Sequence, residues 1–149
     1  MAKTSMSMHL TDHSGQIKAA LEVQANVILE AIGQQVAGSA KLKAPVDTGL
    51  LRNSLTYAIA GKEPVIKAYR GDNPSKYGKS TKIPEGHYSG STTKAEGEHA
   101  VIIGTNVKYG VYQEFGTSKT KKQPFLKPAV LQEQENIKKM IELGLKGEL

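Results

Sequence analysis

The sequence predicts an α+β fold: a small antiparallel sheet of three or four strands, a long N-terminal helix and a C-terminal helix packed together on one sheet face, and a long loop between two of the strands. Three observations carry that expectation. Apolar residues recur at three- and four-residue spacing near the N-terminus, short alternating stretches occupy the middle, and a second amphipathic pattern follows a proline near the C-terminus. At 149 residues the chain has the size of one domain, so residues 1–149 are expected to share one core, with 71–98 inserted as a flexible loop.

Ile17, Leu21, Ala25, Ile28, Ile32, Val36 and Ala40 mark one face of a helix from about Ser14 to Leu42, with Thr11, Asp12 or Ser14 available as its cap. At about 1.5 Å per residue the rod is roughly 42 Å long, more than a thin core covers, so part of it is expected to meet another subunit. Gly33 and Gly38 weaken it locally, and Pro45 with its restricted predecessor Ala44 ends it. Asp47 or Thr48 then offers a side-chain oxygen to the N–H of Leu50 or Leu51, starting a turn or two that put Leu51 and Leu55 on one side.

Leu55, Tyr57 and Ile59 alternate with Thr56 and Ala58 as a strand, and after Gly61 the run Val65 to Arg70 reads as its paired strand. His99 to Thr105 supplies a third. In Val107 to Phe115 the helical spacing of Tyr109, Tyr112 and Phe115 favours a short helix closed by Gly116. Between Gly71 and Glu98 half of the 28 residues are Gly, Pro, Ser or Thr, which predicts a long arm bracketed by two strands. Pro128 suits the first position of the last helix, and Val130, Ile137, Ile141 and Leu145 form its apolar stripe.

Composition narrows the function. Hydrophobic residues make up 38%, aromatics 5%, and tryptophan is absent, so the core is a thin one of Leu, Ile, Val and Ala that partners complete. Without cysteine there is no disulfide, thiolate zinc site or thiol nucleophile. The longest apolar run, Ala100 to Ile103, is too short to span a bilayer and no apolar leader follows Met1, which fits a soluble protein that is not exported and has no membrane partner. A net charge of +6 includes Lys119, Lys121, Lys122 and Lys127 in the acid-free stretch Ser118 to Lys127; a solvated loop is the simplest reading of it.

Several peptides look chemical. Asp47-Thr48-Gly49 is the tripeptide of aspartic proteases, in which two subunits bring their carboxylates together to share a proton; here Pro45 interrupts the strand that should carry the aspartate, and Leu50 follows where a small residue should. Gly78-Lys79-Ser80 matches the end of a phosphate-binding loop, but Asn73 stands where its first glycine belongs and Pro84 blocks the helix that should follow. His9 and His13, with His87 and His99 elsewhere, lack a third ligand for a metal. Tyr77 and Tyr88 interleave with Lys76, Lys79, Lys82 and Lys94 as in sequence-independent DNA contact, diluted by Asp72, Glu85, Glu96 and Glu98. The reading therefore assigns no catalytic residue, metal or cofactor. It keeps a homodimeric protease and a basic DNA-binding module as rivals of a structural role.

Two peptides carry a family resemblance. Asp47-Thr48-Gly49-Leu50-Leu51-Arg52-Asn53-Ser54, then Tyr112-Gln113-Glu114-Phe115-Gly116-Thr117 with Gln123-Pro124-Phe125-Leu126-Lys127-Pro128-Ala129, resemble the neck proteins of tailed bacteriophages, of the tail-completion or head-tail joining type. The resemblance runs from about Val36 to Val130 and includes an intervening strand of the Val101 to Thr105 kind. It implies a non-enzymatic virion component at the neck of a long-tailed phage, assembled in the host cytoplasm as a ring of identical subunits. Its neighbours would be neck, connector and tail-tube proteins, with DNA passing nearby; a tail terminator capping the tube is the close alternative. Motif residues Asp47, Thr48, Gly49, Leu51, Arg52, Ser54, Tyr112, Glu114, Phe115, Gly116, Thr117, Pro124, Phe125, Leu126 and Pro128 would then serve structure or interface. Lys76, Lys79, Lys82, Lys119, Lys121 and Lys122 would face DNA or a neighbouring subunit. Arg52 and Glu114, one from each motif, are expected to lie together.

Overall fold

The computed structural model describes residues 12–47, 49–62 and 98–149, and the backbone of 66–69 and 86–89. Helix α1 spans Ser14–Lys43. Asp12 accepts the Ser14 N–H on Oδ1 at 2.8 Å, satisfying one of the donors a helix start leaves free. At the other end Ala44 turns extended, with ψ 130°, as the residue ahead of a proline must. Helix α2 (Leu50–Ser54) begins after Gly49, whose φ of 83° is a left-handed backbone that glycine adopts without strain. Asp47 stands exposed just ahead of it; Thr48 lies outside the described residues.

Strands β1 (Thr56–Ile59) and β4 (Val101–Gly104) pair antiparallel, Tyr57 opposite Ile103 and Ile59 opposite Val101. Strands β2 (Ile66–Tyr69) and β3 (Gly86–Ser89) form a second antiparallel pair, Ile66 opposite Ser89. This corrects one expectation. The strands join two and two rather than in one sheet of three or four, because β1 pairs with β4 and not with the strand that follows it. Strand β3 falls within 71–98, and its backbone groups pair with those of β2.

After β4 the chain forms α3 (Gly110–Phe115), closed by Gly116 as the sequence suggests, and α4 (Leu126–Leu145). Helix α4 runs antiparallel along α1: near one end Gln24 Nε2 donates to the Gly144 carbonyl at 2.8 Å, and further along Gln35 Nε2 donates to Glu133 at 2.9 Å. The helices meet closely because Gly144 has no side chain; a Cβ there would collide with Ile28. On its other flank α1 rests on β1 and β4. Gly33 lets the Tyr57 ring approach, so near that a Cβ would lie 2.6 Å from Tyr57 Cδ2.

Most of the buried apolar side chains among the described residues fall into two clusters. Ile28, Ile32 and Val36 pack with Val101, Ile103, Ile137 and Met140 at the middle of α1. Ala40, Ala44, Leu50, Leu51, Leu55, Val107, Phe125 and Ala129 pack at its C-terminal end, where α2, α3 and the start of α4 converge. The stripe proposed for α4 needs correcting. Its inward positions are Ala129, Glu133, Ile137, Met140 and Gly144, while Val130, Ile141 and Leu145 are exposed. A carboxylate with partners of its own sits where apolar periodicity looks for an aliphatic residue.

Candidate functional site

The two motif peptides meet at the C-terminal end of α1. Leu51 and Leu55 sink into the cluster there, and Ser54 is fully buried. Its hydroxyl donates to the Leu51 carbonyl at 2.9 Å and lies 2.5 Å from Thr105 Oγ1. Thr105 Oγ1 in turn accepts the Val107 N–H at 3.1 Å, which directs the chain from β4 toward α3. A hydroxyl pair thus joins the first motif to the end of the intervening strand, from which the chain runs on to the second.

From α3 the chain folds back on itself before α4. Gly116 has φ 78°, and a Cβ on it would stand 3.0 Å from the Lys122 backbone nitrogen. Thr117 Oγ1 accepts the N–H groups of Lys119 and Thr120 at 3.2 and 3.0 Å, and the Thr117 N–H donates to the Thr120 carbonyl. The Gln123 N–H then donates to the Gln113 carbonyl at 2.7 Å. The lysine-bearing segment is a pinned corner, with Lys119, Lys121, Lys122 and Lys127 all exposed on it.

Glu114 completes the corner. Its carboxylate accepts three backbone N–H groups at the start of α4, those of Phe125 (2.7 Å), Leu126 (3.0 Å) and Lys127 (2.9 Å). The next residue is Pro128, which has no N–H to satisfy. The donors that an α-helix leaves open at its N-terminus are therefore all accounted for by one glutamate and one proline. Partial burial pushes the Glu114 carboxyl upward, but the three N–H bonds and the charge of Lys127 outweigh it and hold the group below its ordinary pKa. This corrects the expected pairing with Arg52: the Glu114 oxygens are taken up by α4, and Arg52 is exposed on α2 with no ion pair to Glu114. Pro128 is also the third residue of α4 rather than its first.

Phe125, at 1% exposure, anchors the corner in the core, with Leu126 packed beside it. Other motif residues point away. Tyr112 is exposed, Phe115 is 76% exposed, and Val111 adds an aliphatic surface on the same short helix. Pro124 and Thr117 are exposed on the connecting loop.

A second polar cluster, which periodicity did not reveal, joins α1 to α4. Glu133, only 4% exposed, accepts from Asn136 Nδ2 at 2.8 Å, from the Ser39 hydroxyl, and from Gln35 Nε2 at 2.9 Å. Those hydrogen bonds, with the Lys43 charge, lower its pKa to about 2 against the opposing effect of burial. Gln35 and Ser39, four residues apart beside the α1 stripe, were the sequence signal for a polar partner on α4.

The remaining candidates separate. Asp47 is exposed in the turn between α1 and α2, not at the end of an apolar strand as the protease arrangement needs. His13 is an exposed residue at the start of α1. His99 lines an open depression of about 330 Å³ with Glu22, Asn26, Lys62 and Glu98. Among the described residues no group of three His, Cys, Asp or Glu could hold a metal ion. His9, Lys76, Tyr77, Lys79 and Lys82 lie outside the described residues, as does the Gly78-Lys79-Ser80 peptide.

The N-terminal half of α1 completes the picture. Ile17 and Leu21 continue the stripe that Ile28, Ile32 and Val36 bury, yet each is 59% exposed, and Val23 and Val27 are exposed on another face of the same helix. A family model described as "Bacteriophage HK97-gp10, putative tail-component" matches residues 10–116, from the start of this helix to the glycine that closes α3. The chain belongs to the HK97-gp10-like family. Membership makes it a bacteriophage protein of the structural, tail-component kind, associated with other phage structural proteins in the virion. The match takes in the first motif and the second as far as Gly116, while Gln123 to Ala129 and the rest of α4 lie beyond it. No curated protein and no solved structure matches the chain. No helix of the described residues is long and apolar enough to cross a membrane.

Proposed function

We propose that this HK97-gp10-like protein is a ring-forming subunit at the neck of a long-tailed phage, where it joins head to tail or completes the tail and catalyses no reaction. One observation carries the reading: the core stripe of α1 runs on past the end of α4 into Ile17 and Leu21, leaving two aliphatic side chains in water on the face that is buried further along. A contiguous apolar face of this kind marks an association surface. Identical subunits that associate head to tail close into rings.

The test is electron microscopy of particles produced without the protein. Heads and tails accumulating apart support joining. Tails of uncontrolled length indicate the terminator role instead, and whole infectious virions overturn the reading. A second reading rests on the exposed Lys119, Lys121 and Lys122: contact with passing DNA through its phosphates. On that reading, affinity for a random duplex falls steeply with salt and drops when the three lysines are replaced by glutamine. Salt-insensitive binding, or none, leaves the structural role alone.

A further inference from the structure

We infer that the projecting half of α1 in one copy docks on the α3 corner of the next, so that copies of this chain associate head to tail through two different surfaces. The inference rests on the ring reading above and names the surfaces that form the ring.

The two surfaces lie at opposite ends of the molecule. The α3 corner is built on the cluster around Ala40, Ala44, Leu51 and Phe125, at the C-terminal end of α1. Ile17 and Leu21 lie at the other end, more than 20 residues back along the same helix, which at about 1.5 Å per residue is roughly 30 Å away. One copy cannot bring them together. Two surfaces at opposite ends suit a contact that repeats from copy to copy, whereas a two-fold contact would use one surface twice.

Their chemistry is complementary. The projecting helix offers Ile17 and Leu21, and the charges at that end lean acidic: Asp12, Glu22, Glu98, Glu142 and Glu148 are exposed against Lys18 and Lys146, while Glu30 and Lys62 engage each other at 3.6 Å. The corner offers Val111, Tyr112 and Phe115, with Lys119, Lys121 and Lys122 on the loop that closes against Gly116. The only carboxylate of the corner, Glu114, is taken up by α4. Each surface is thus an apolar centre with charge at its rim, and the rims are of opposite sign, the arrangement that fixes orientation and excludes pairing of like surfaces. The exposed aliphatic and aromatic side chains favour a protein occupant over DNA, since a phosphate backbone rewards the lysines but not the burial of Val111 or Phe115.

The chain has no cysteine, so a single engineered thiol reports its own contacts. Leu21→Cys and Phe115→Cys, both at exposed positions, are made separately and together, and each is checked for an unchanged thermal melt. In particles carrying the double variant, oxidation is expected to give a ladder of covalent multimers, and particles carrying either single variant to give none. Self-cross-linking of Leu21→Cys alone, or no ladder from double-variant protein that is present in the particle in several copies, overturns the head-to-tail contact and leaves the neck assignment standing. Absence of the wild-type protein from particles overturns the neck assignment, and the contact with it. Should the thiols disturb assembly, Ile17→Asp and Phe115→Asp copies supply the second measurement by light scattering: each alone stays monomeric, and an equimolar mixture gives a one-to-one dimer through the one intact pair of surfaces. A mixture that stays monomeric while wild type oligomerises rejects the pairing.

Discussion

Glu114 shows how one side chain can set the direction of a helix. Its carboxylate gathers the Phe125, Leu126 and Lys127 N–H groups and aims α4 back along α1. Replacing it by alanine strips the start of α4 of its acceptor and is expected to cost about 0.5–2 kcal/mol, the usual range for losing a helix cap. Glu114→Gln keeps one acceptor oxygen but loses the charge, so its denaturant midpoint is expected to fall between wild type and Glu114→Ala. Glu133 acts between helices and gives a pH signature. Its carboxyl is lowered from 4.5 to about 2 by Asn136, Ser39 and Gln35. A lowered carboxylate adds stability that is present above the unfolded pKa and lost as pH falls through the folded one. The stability gap between wild type and Glu133→Gln is therefore expected to shrink as pH drops from 4.5 to about 2, and urea melts at stepped pH measure it. A gap that stays constant over that window contradicts the assignment. Sequence reading singled out Glu114 through the motif it belongs to but gave it the wrong partner, because a carboxylate eleven residues ahead of a helix reaches its free N–H groups only after the loop folds back.

At the scale of elements, three glycines in two helices divide by what faces them. Gly33 receives the Tyr57 ring and Gly144 receives Ile28, so alanine at either must push a packed side chain aside and is expected to cost about 1–3 kcal/mol. Gly38 lies in the same helix as Gly33 with open space where a Cβ would stand, and Gly38→Ala is expected to stabilise by about 0.5–1 kcal/mol. Thermal melts of the three single variants decide whether the signs differ as described. The contrast also explains which elements were legible. Both ends of α1 and the close of α3 are written locally, in Asp12, Pro45 and Gly116, and were legible there. Strand partners are not local. Val101 stands opposite Ile59 across an intervening segment of some forty residues, and nothing in a four-residue strand names its partner. The buried face of α4 escaped for a different reason: Glu133 and Gly144 break apolar periodicity, and only their partners on α1 explain why they point inward.

For the whole molecule, the distribution of packing along α1 sets the behaviour. The two clusters cover the helix from Ile28 to Ala40, and the α4 contacts nearest its N-terminus are those of Gly144 with Gln24 and Ile28. The turns before Gln24 have exposed side chains and are kept helical mainly by their own backbone hydrogen bonds. Amide exchange in the free protein is expected to be fast over residues 17–23 and slow over 30–40, and to slow over 17–23 when the protein is incorporated into particles. Equal protection along the helix in the free protein contradicts this. That α1 outruns its core was legible in the stripe, which continues to Ile17 and Leu21 beyond the buried positions. The outward turn of Phe115 was not, since spacing places it on a helix with Tyr109 and Tyr112 without saying which side of that helix the core takes.

Those outlying turns have a kinetic consequence. A helical stretch of about ten residues without side-chain support is marginal in water and frays. Two free copies that collide must therefore freeze a frayed segment for the return of a single contact, and most such encounters come apart. A copy that meets a neighbour whose helix is already held straight finds a finished surface at once. Extension of an assembly already begun is therefore expected to outrun its initiation between free copies.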